Sequence, residues 1–102
     1  MIYKPAELLL ENRASLCVLE LPLQVMGHCH ENKGSDENEG QEQLPGCFLT
    51  PEDCLEGCLE NTESMGCEFN TTNKGCYIHK AQIQGVGESK VHICWLFIGK
   101  NY

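Results

Sequence analysis

Eight cysteines in a chain of 102 residues constrain what this protein can fold into more than any other feature of its sequence. A chain this short buries a small core, so folding is marginal without a covalent staple, a metal or a partner. Cysteine at this density reads as a disulfide scaffold, which forms and persists in an oxidising compartment. The even count allows Cys17, Cys29, Cys47, Cys54, Cys58, Cys67, Cys76 and Cys94 all to pair. Spacing alone does not choose a connectivity. The length fits one domain, with a loose arm at most.

Charge narrows the partners. Fifteen acidic against seven basic side chains give a formal net charge of −8. Nucleic acid and anionic membranes are recognised largely by cationic surface, so both are disfavoured. No stretch approaches an apolar membrane span, and membrane insertion is not expected. The expected partner is an extracellular protein or a glycan. The N-terminus pulls the other way: Ala6-Glu7-Leu8-Leu9-Leu10-Glu11-Asn12-Arg13 breaks its apolar run after three leucines, unlike a secretory signal. The cysteines therefore indicate a secreted protein without a visible signal peptide. A reduced intracellular protein is the competing reading.

Residues 1–43 read as an N-terminal strand segment and an acidic loop, either an arm or part of the domain; residues 44–102 read as the disulfide domain. Pro5 to Arg13 fits a helical turn or two, and Ser15 to Met26 an edge strand or two short strands around Pro22. Glu31 to Gln43 holds no apolar side chain and reads as a solvated loop. Asp36, Glu37 and Glu39 offer oxygen ligands to calcium there, but their spacing fails the EF-hand pattern. Thr50-Pro51-Glu52-Asp53 is a helix start: a capping hydroxyl, proline at the first position and acids in the first turn. The helix should reach about Asn61, with Cys54, Leu55, Cys58 and Leu59 forming an apolar stripe and Glu52, Glu56, Glu60 and Glu63 facing water. Gly66 to Asn70 reads as a short strand, and Asn73-Lys74-Gly75 as a turn in which glycine or asparagine tolerates positive φ. Cys76 to Lys80 follows as a partner strand. Gly85 and Gly87 suggest a second turn. Lys90 to Ile98 is the strongest strand, and apolar side chains on both its faces mark it as central.

Cys54 and Cys58 stand one helical turn apart and point the same way, so each is better placed to clip the helix to a different strand than to bond the other. Cys67, Cys76 and Cys94 lie in segments that could receive such clips. Cys47, then Thr50-Pro51-Glu52-Asp53-Cys54-Leu55-Glu56-Gly57-Cys58, Gly66-Cys67-Glu68-Phe69-Asn70 and Gly75-Cys76-Tyr77-Ile78 together resemble the PAN/apple superfamily over about residues 44–98. The resemblance implies a small disulfide-rich α+β domain with one helix packed on a curved antiparallel sheet. It implies bonds from Cys54 to Cys76 and, nested inside, from Cys58 to Cys67, and further a Cys47–Cys94 bond. In that family the first cysteine commonly lies in an N-terminal strand well before the helix. Cys47 precedes Cys54 by only seven residues, so Cys17 or Cys29 competes for the position. A local Cys17–Cys29 clip is the simplest arrangement for leftover cysteines.

The resemblance also implies a binding module for protein or carbohydrate. No catalytic residue can be nominated from linear order, and an enzyme is not expected. His79 and His92 could lie near each other on one face if their strands pair, with Glu68 joining them; the bland account makes them strand histidines on a polar surface. Trp95 and Phe97 alternate on one strand face, either as core or as an aromatic platform for a sugar or a partner. With Tyr77, His79 and His92 they are the candidate binding residues. Asn70-Thr71-Thr72 is an N-glycosylation acceptor sequence. Cys54-x3-Cys58 lies within structural-zinc spacing and His28-Cys29-His30 adds ligands, but the remaining cysteines are dispersed. Disulfides are therefore favoured, with no metal and no cofactor. An extracellular binding module is the leading expectation. The alternatives are a purely structural disulfide-stabilised domain of a larger secreted protein and a small intracellular zinc-binding protein.

Overall fold

A computed structural model describes residues 3–9, 22–32 and 38–97. The strands are β1 (Tyr3–Pro5), β2 (Leu23–Met26), β3 (His28–His30), β4 (Gln41–Gln43), β5 (Gly66–Asn70), β6 (Cys76–His79), β7 (Gly85–Gly87) and β8 (His92–Leu96). Residues 6–9 are helical (α1), and Pro51–Leu59 forms α2. All pairings are antiparallel, in a five-stranded sheet of order β2-β8-β5-β6-β4 and a three-stranded sheet of order β1-β7-β3. This corrects the expected architecture of one helix on a curved sheet. Among the described residues there are two helices and two sheets, and neither sheet is curled or closed. The physical reason is that the N-terminal segments do not bend the main sheet but build a second one: β1 and β3 flank β7, and only β2 and β4 join the larger sheet.

The larger sheet is covered on both faces. Strand alternation turns Cys67, Phe69, Cys76, Ile78, Ile93 and Trp95 toward α2, where they meet Cys54, Cys58 and Phe97 in one buried cluster. The opposite alternates, Cys94 and Leu96, pack with Cys29, Val86, Ile83 and Ala6 in a second cluster. Full burial of an aliphatic or phenylalanine side chain contributes about 1.5–3 kcal/mol, so Phe69, Ile78 and Leu96, all at 0 % exposure, are principal contributors. β8 is central, as its two apolar faces indicate, with β2 on one side and β5 on the other.

α2 begins as its sequence requires. The Thr50 hydroxyl accepts the Asp53 N–H at 3.1 Å, and Pro51 opens the first turn. It stops at Leu59, two residues short of Asn61, and Leu59 is exposed rather than packed. The turn after β5 carries its positive φ, 63°, on Lys74 and on neither neighbour. The asparagines serve as side-chain caps instead. Asn70 Oδ1 accepts from the Thr72 and Asn73 N–H groups, and Asn73 Oδ1 from that of Gly75. Gly85 and Gly87 do not form a turn; they are the ends of β7, the central strand of the smaller sheet. Their missing side chains admit neighbours: a Cβ would lie 2.2 Å from the Tyr3 ring at Gly85 and 2.6 Å from His30 Nε2 at Gly87.

Among the described residues, three disulfides lock these layers. Cys54–Cys76 and Cys58–Cys67 tie α2 to β6 and β5, the nested pairing that the resemblance implies. The Cys47–Cys94 expectation is corrected, because Cys94 bonds Cys29 and joins β3 to β8, while Cys47 is an exposed free thiol. The same bond excludes a Cys17–Cys29 clip; Cys17 itself lies outside the described residues, as do Asp36, Glu37 and Ile98. The acidic stretch is not uniformly solvated, since Glu31 is buried at 7 % exposure and Gln41–Gln43 forms an edge strand. Among the described residues, no helix is long and apolar enough to cross a membrane.

Candidate metal centre

The site grows from the middle strand of the larger sheet. Cys67 and Phe69 face the helix, so Glu68 between them faces the three-stranded sheet. Register sets Glu68 opposite Tyr77 on β6 and opposite Cys94 on β8. Two residues along those strands, His79 stands opposite Gly66 and His92 opposite Asn70. The two histidines are thus diagonal neighbours of Glu68 on opposite flanks, close enough for long side chains to meet. Their own strands do not pair with each other; β5 runs between them.

β3 supplies the remaining groups. The Cys29 N–H donates to Glu68 Oε1 at 3.2 Å, and His79 Nε2 lies 3.0 Å from the same oxygen. Glu68 Oε2 faces His28 Nδ1 at 3.3 Å and His92 Nε2 at 4.0 Å. On its other side, His79 Nδ1 is 2.6 Å from Glu31 Oε2. A hydrogen must lie in each of His79's two contacts, because a lone pair does not bond a carboxylate oxygen. His79 thus bridges the carboxylates of Glu31 and Glu68 through its two ring nitrogens. Glu31 is anchored in turn. Its Oε1 accepts the Gly40 N–H at 2.7 Å, and its own N–H donates to Asn38 Oδ1 at 2.8 Å.

The hydrogen-bond network fixes the tautomer of His92. Asn70 Oδ1 is occupied by two backbone donors, which leaves its Nδ2 to donate to His92 Nε2 at 3.2 Å. Nε2 is therefore the unprotonated nitrogen, and Nδ1–H donates to Ser89 Oγ at 2.8 Å. Burial above all, and then the neighbouring His28, hold His92 below the ordinary histidine value against the opposing pull of Glu68. The His28 and His92 rings overlap with centroids 3.7 Å apart.

His28 Nδ1, Glu68 Oε2 and His92 Nε2 come from three strands, with their ligating atoms all within 4.8 Å of one another. Two imidazoles and a carboxylate suit zinc or a similar divalent transition metal, whose neighbouring ligand atoms sit about 3.3 Å apart when each bond is about 2.0–2.1 Å. The groups behind them fit such a role. Ser89 orients His92 through its far nitrogen, while Cys29 and His79 hold Oε1 of Glu68 and leave Oε2 turned to the histidines. The side chain of His28 is 42 % exposed, so the cluster opens to solvent on that side. A second grouping, Cys29 with Glu68 and His79, lacks a thiolate because Cys29 is in a disulfide.

Trp95 and Phe97 are core, at 2 % and 4 % exposure, so the aromatic platform is not on the surface; the Trp95 indole N–H is satisfied by Gln24 at 3.1 Å. Tyr77 is half-buried on β6. His79 is fully buried and its polar atoms are engaged, which replaces the expectation of a polar-surface histidine. The Asn70 amide nitrogen, which a glycan would occupy, points at His92. His30 packs against Tyr3, with ring centroids 5.4 Å apart, and stays out of the cluster. Glu31 is the participant that the sequence hides, since an acid in a charged loop carries no local sign of burial beside a histidine 48 positions away. No family model, curated protein or solved structure matches this chain.

Proposed function

We propose that this protein is a disulfide-stapled domain that binds one divalent transition-metal ion, of the zinc class, through His28 Nδ1, Glu68 Oε2 and His92 Nε2. One observation carries the reading: three ligand atoms of the right chemistry converge within 4.8 Å from three strands, and the His92 lone pair is turned inward by Ser89 and Asn70. Binding takes the proton from His28 Nδ1 and replaces the Asn70 hydrogen bond at His92 Nε2. Three protein ligands leave a coordination position for water or for a ligand from solution, on the side where His28 is exposed. The alternative weighed from sequence, a small intracellular zinc-binding protein built on Cys54-x3-Cys58 and His28-Cys29-His30, gains support in its metal binding, but of its ligands this site uses only His28. Three disulfides support an oxidising compartment as the place where this form works.

The test is calorimetric titration of untagged, oxidised, metal-free protein with zinc, repeated with cobalt to read the ligand set from its visible spectrum. One ion per chain is expected, with affinity falling on the order of 10- to 100-fold or more in His28→Ala. Because His28 is half-exposed, that variant keeps the fold. Wild-type protein that takes up no stoichiometric metal, or His28→Ala with unchanged affinity, sinks the reading.

A further inference from the structure

The helix-side cluster holds a feature that the His28–Glu68–His92 site does not use. The two disulfides Cys54–Cys76 and Cys58–Cys67 are stacked so closely that all four sulfurs lie within 4.8 Å of one another. Across the stack, Cys54 Sγ is 3.6 Å from Cys67 Sγ and Cys58 Sγ is 3.9 Å from Cys76 Sγ. Sulfurs around a tetrahedral zinc stand about 3.8 Å apart when each Zn–S bond is about 2.3 Å. Two of the six edges of a tetrathiolate site are therefore already at length, between sulfurs that are not bonded to each other.

We infer that Cys54, Cys58, Cys67 and Cys76, once reduced, form a closed tetrathiolate zinc site, a second metal centre independent of the histidine–glutamate cluster. The backbone supporting it does not depend on the disulfides alone. Cys54 and Cys58 sit one turn apart on a helix with its own hydroxyl cap, while Cys67 and Cys76 sit on neighbouring strands whose register pairs Cys67 with Ile78 and Cys76 with Phe69. All four cysteines are fully buried, as suits a closed structural site. Each sulfur also has a backbone carbonyl within S–H range: Glu68 O for Cys54, Tyr77 O for Cys58, and Cys54 O for both Cys67 and Cys76, at 3.4–3.7 Å. In the disulfide form these are contacts without hydrogen. In the reduced form the carbonyls accept the thiol protons and keep the four groups facing inward until metal arrives.

The chemistry balances. Each of the two disulfides takes two electrons and two protons from one equivalent of an external dithiol, which is itself oxidised to a disulfide. Zinc then displaces the four thiol protons as four Zn–S bonds form. Reoxidation by two equivalents of an external disulfide, each taking two electrons and reduced to its dithiol with protons from solvent, re-forms both cystines, breaks the four Zn–S bonds and releases the ion. The same four side chains thus staple α2 to the sheet in an oxidising environment and hold it there through zinc in a reducing one.

The experiment reduces His28→Ala protein, in which the histidine–glutamate site is disabled, with a phosphine, then titrates it with cobalt and separately with zinc. Expected are one cobalt per chain with the strong thiolate charge-transfer bands of four sulfur ligands, and native-like helix and sheet dichroism in the zinc form. Alkylation of the zinc form followed by peptide mapping should leave Cys54, Cys58, Cys67 and Cys76 unmodified while Cys29, Cys47 and Cys94 take the label. The Cys29→Ser/Cys94→Ser change made in the same His28→Ala background, treated in parallel, should bind the same single ion, because the site does not use that pair. Absence of thiolate bands in both proteins, or protection of Cys29, Cys47 or Cys94 in place of any of the four, overturns the inference.

Discussion

Glu68 is the residue on which both the stability and the chemistry of the inter-sheet face depend. Its carboxylate accepts from the Cys29 backbone and lies against three histidines, two of them partly accessible and one wholly buried. Glu68→Ala leaves the buried His79 and the Cys29 N–H without their acceptor and should destabilise the fold by about 3–5 kcal/mol in urea unfolding, the range for breaking a buried pair. Glu68→Gln keeps an oxygen for Oε1's donors and should cost about 1 kcal/mol while abolishing stoichiometric metal binding in calorimetry. The pH response follows from His92, which faces His28, Glu68, Asn70 and Ser89 and is held below 6.5 by burial and by His28. Below that value the unfolded chain takes up the His92 proton before the folded one does. The folded state of the metal-free protein therefore loses stability as pH falls from 6.5 toward the depressed value, and regains it as pH rises through the same window. Comparing wild type with His92→Gln by urea unfolding across about pH 5 to 8 should show a shallower slope in the variant.

Elements meet through residues that have no side chain to spare. Gly27 lies between β2 and β3 and carries the chain from the larger sheet to the smaller; its φ is 144°, and its N–H donates to His92 O at 2.8 Å. A Cβ there would lie 2.3 Å from the Gly87 carbonyl oxygen, a backbone atom that cannot swing aside. Gly27→Ala should therefore cost roughly 2–3 kcal/mol from strain and clash. It should also weaken metal binding, because His28 is the next residue; chemical unfolding and zinc titration on the one variant check both. α2 is sensitive in a different way. Thr50→Ala removes the only side-chain cap observed at its start and should cost about 1 kcal/mol. The two helix disulfides keep α2 docked, so metal affinity at the inter-sheet site should be unchanged in that variant.

For the molecule as a whole, the Cys29–Cys94 bond matters most, because it spans 65 residues and is the covalent tie between the two sheets. By loop-closure entropy it contributes about 4 kcal/mol, against about 3 kcal/mol for each of the helix bonds, whose separations are 22 and 9. Replacing both cysteines by serine should lower the guanidinium midpoint more than removing either helix disulfide does. It should also loosen β3, lowering zinc affinity at His28. The net charge of −8 repels itself across the molecule, so added salt should raise stability slightly by screening that repulsion.

Local rules made several parts of this protein legible from its residues. The α2 cap, the Gly66–Asn70 strand, the two-faced strand through Cys94 and the existence of a disulfide scaffold all rest on contacts within a few positions or on period-two alternation. In the sequence His79, His92 and Glu68 share a face only on the condition that the two histidine strands pair, and those strands do not pair. What the residues could not decide was which strands are neighbours. β5 rather than direct pairing joins His79 to His92, Cys29 rather than Cys47 reaches Cys94, and Gly85–Gly87 becomes a strand because Tyr3 and His30 pack where its side chains would be. Glu31 shows the limit most sharply: only the path of β3 across the sheet brings that acid from a charged loop to a buried histidine. The eight cysteines determined that the chain would be stapled, because a small core needs it. Which sulfurs meet, and that four of them meet at once, was decided by long-range sheet order and by packing, which short-range sequence pattern does not encode.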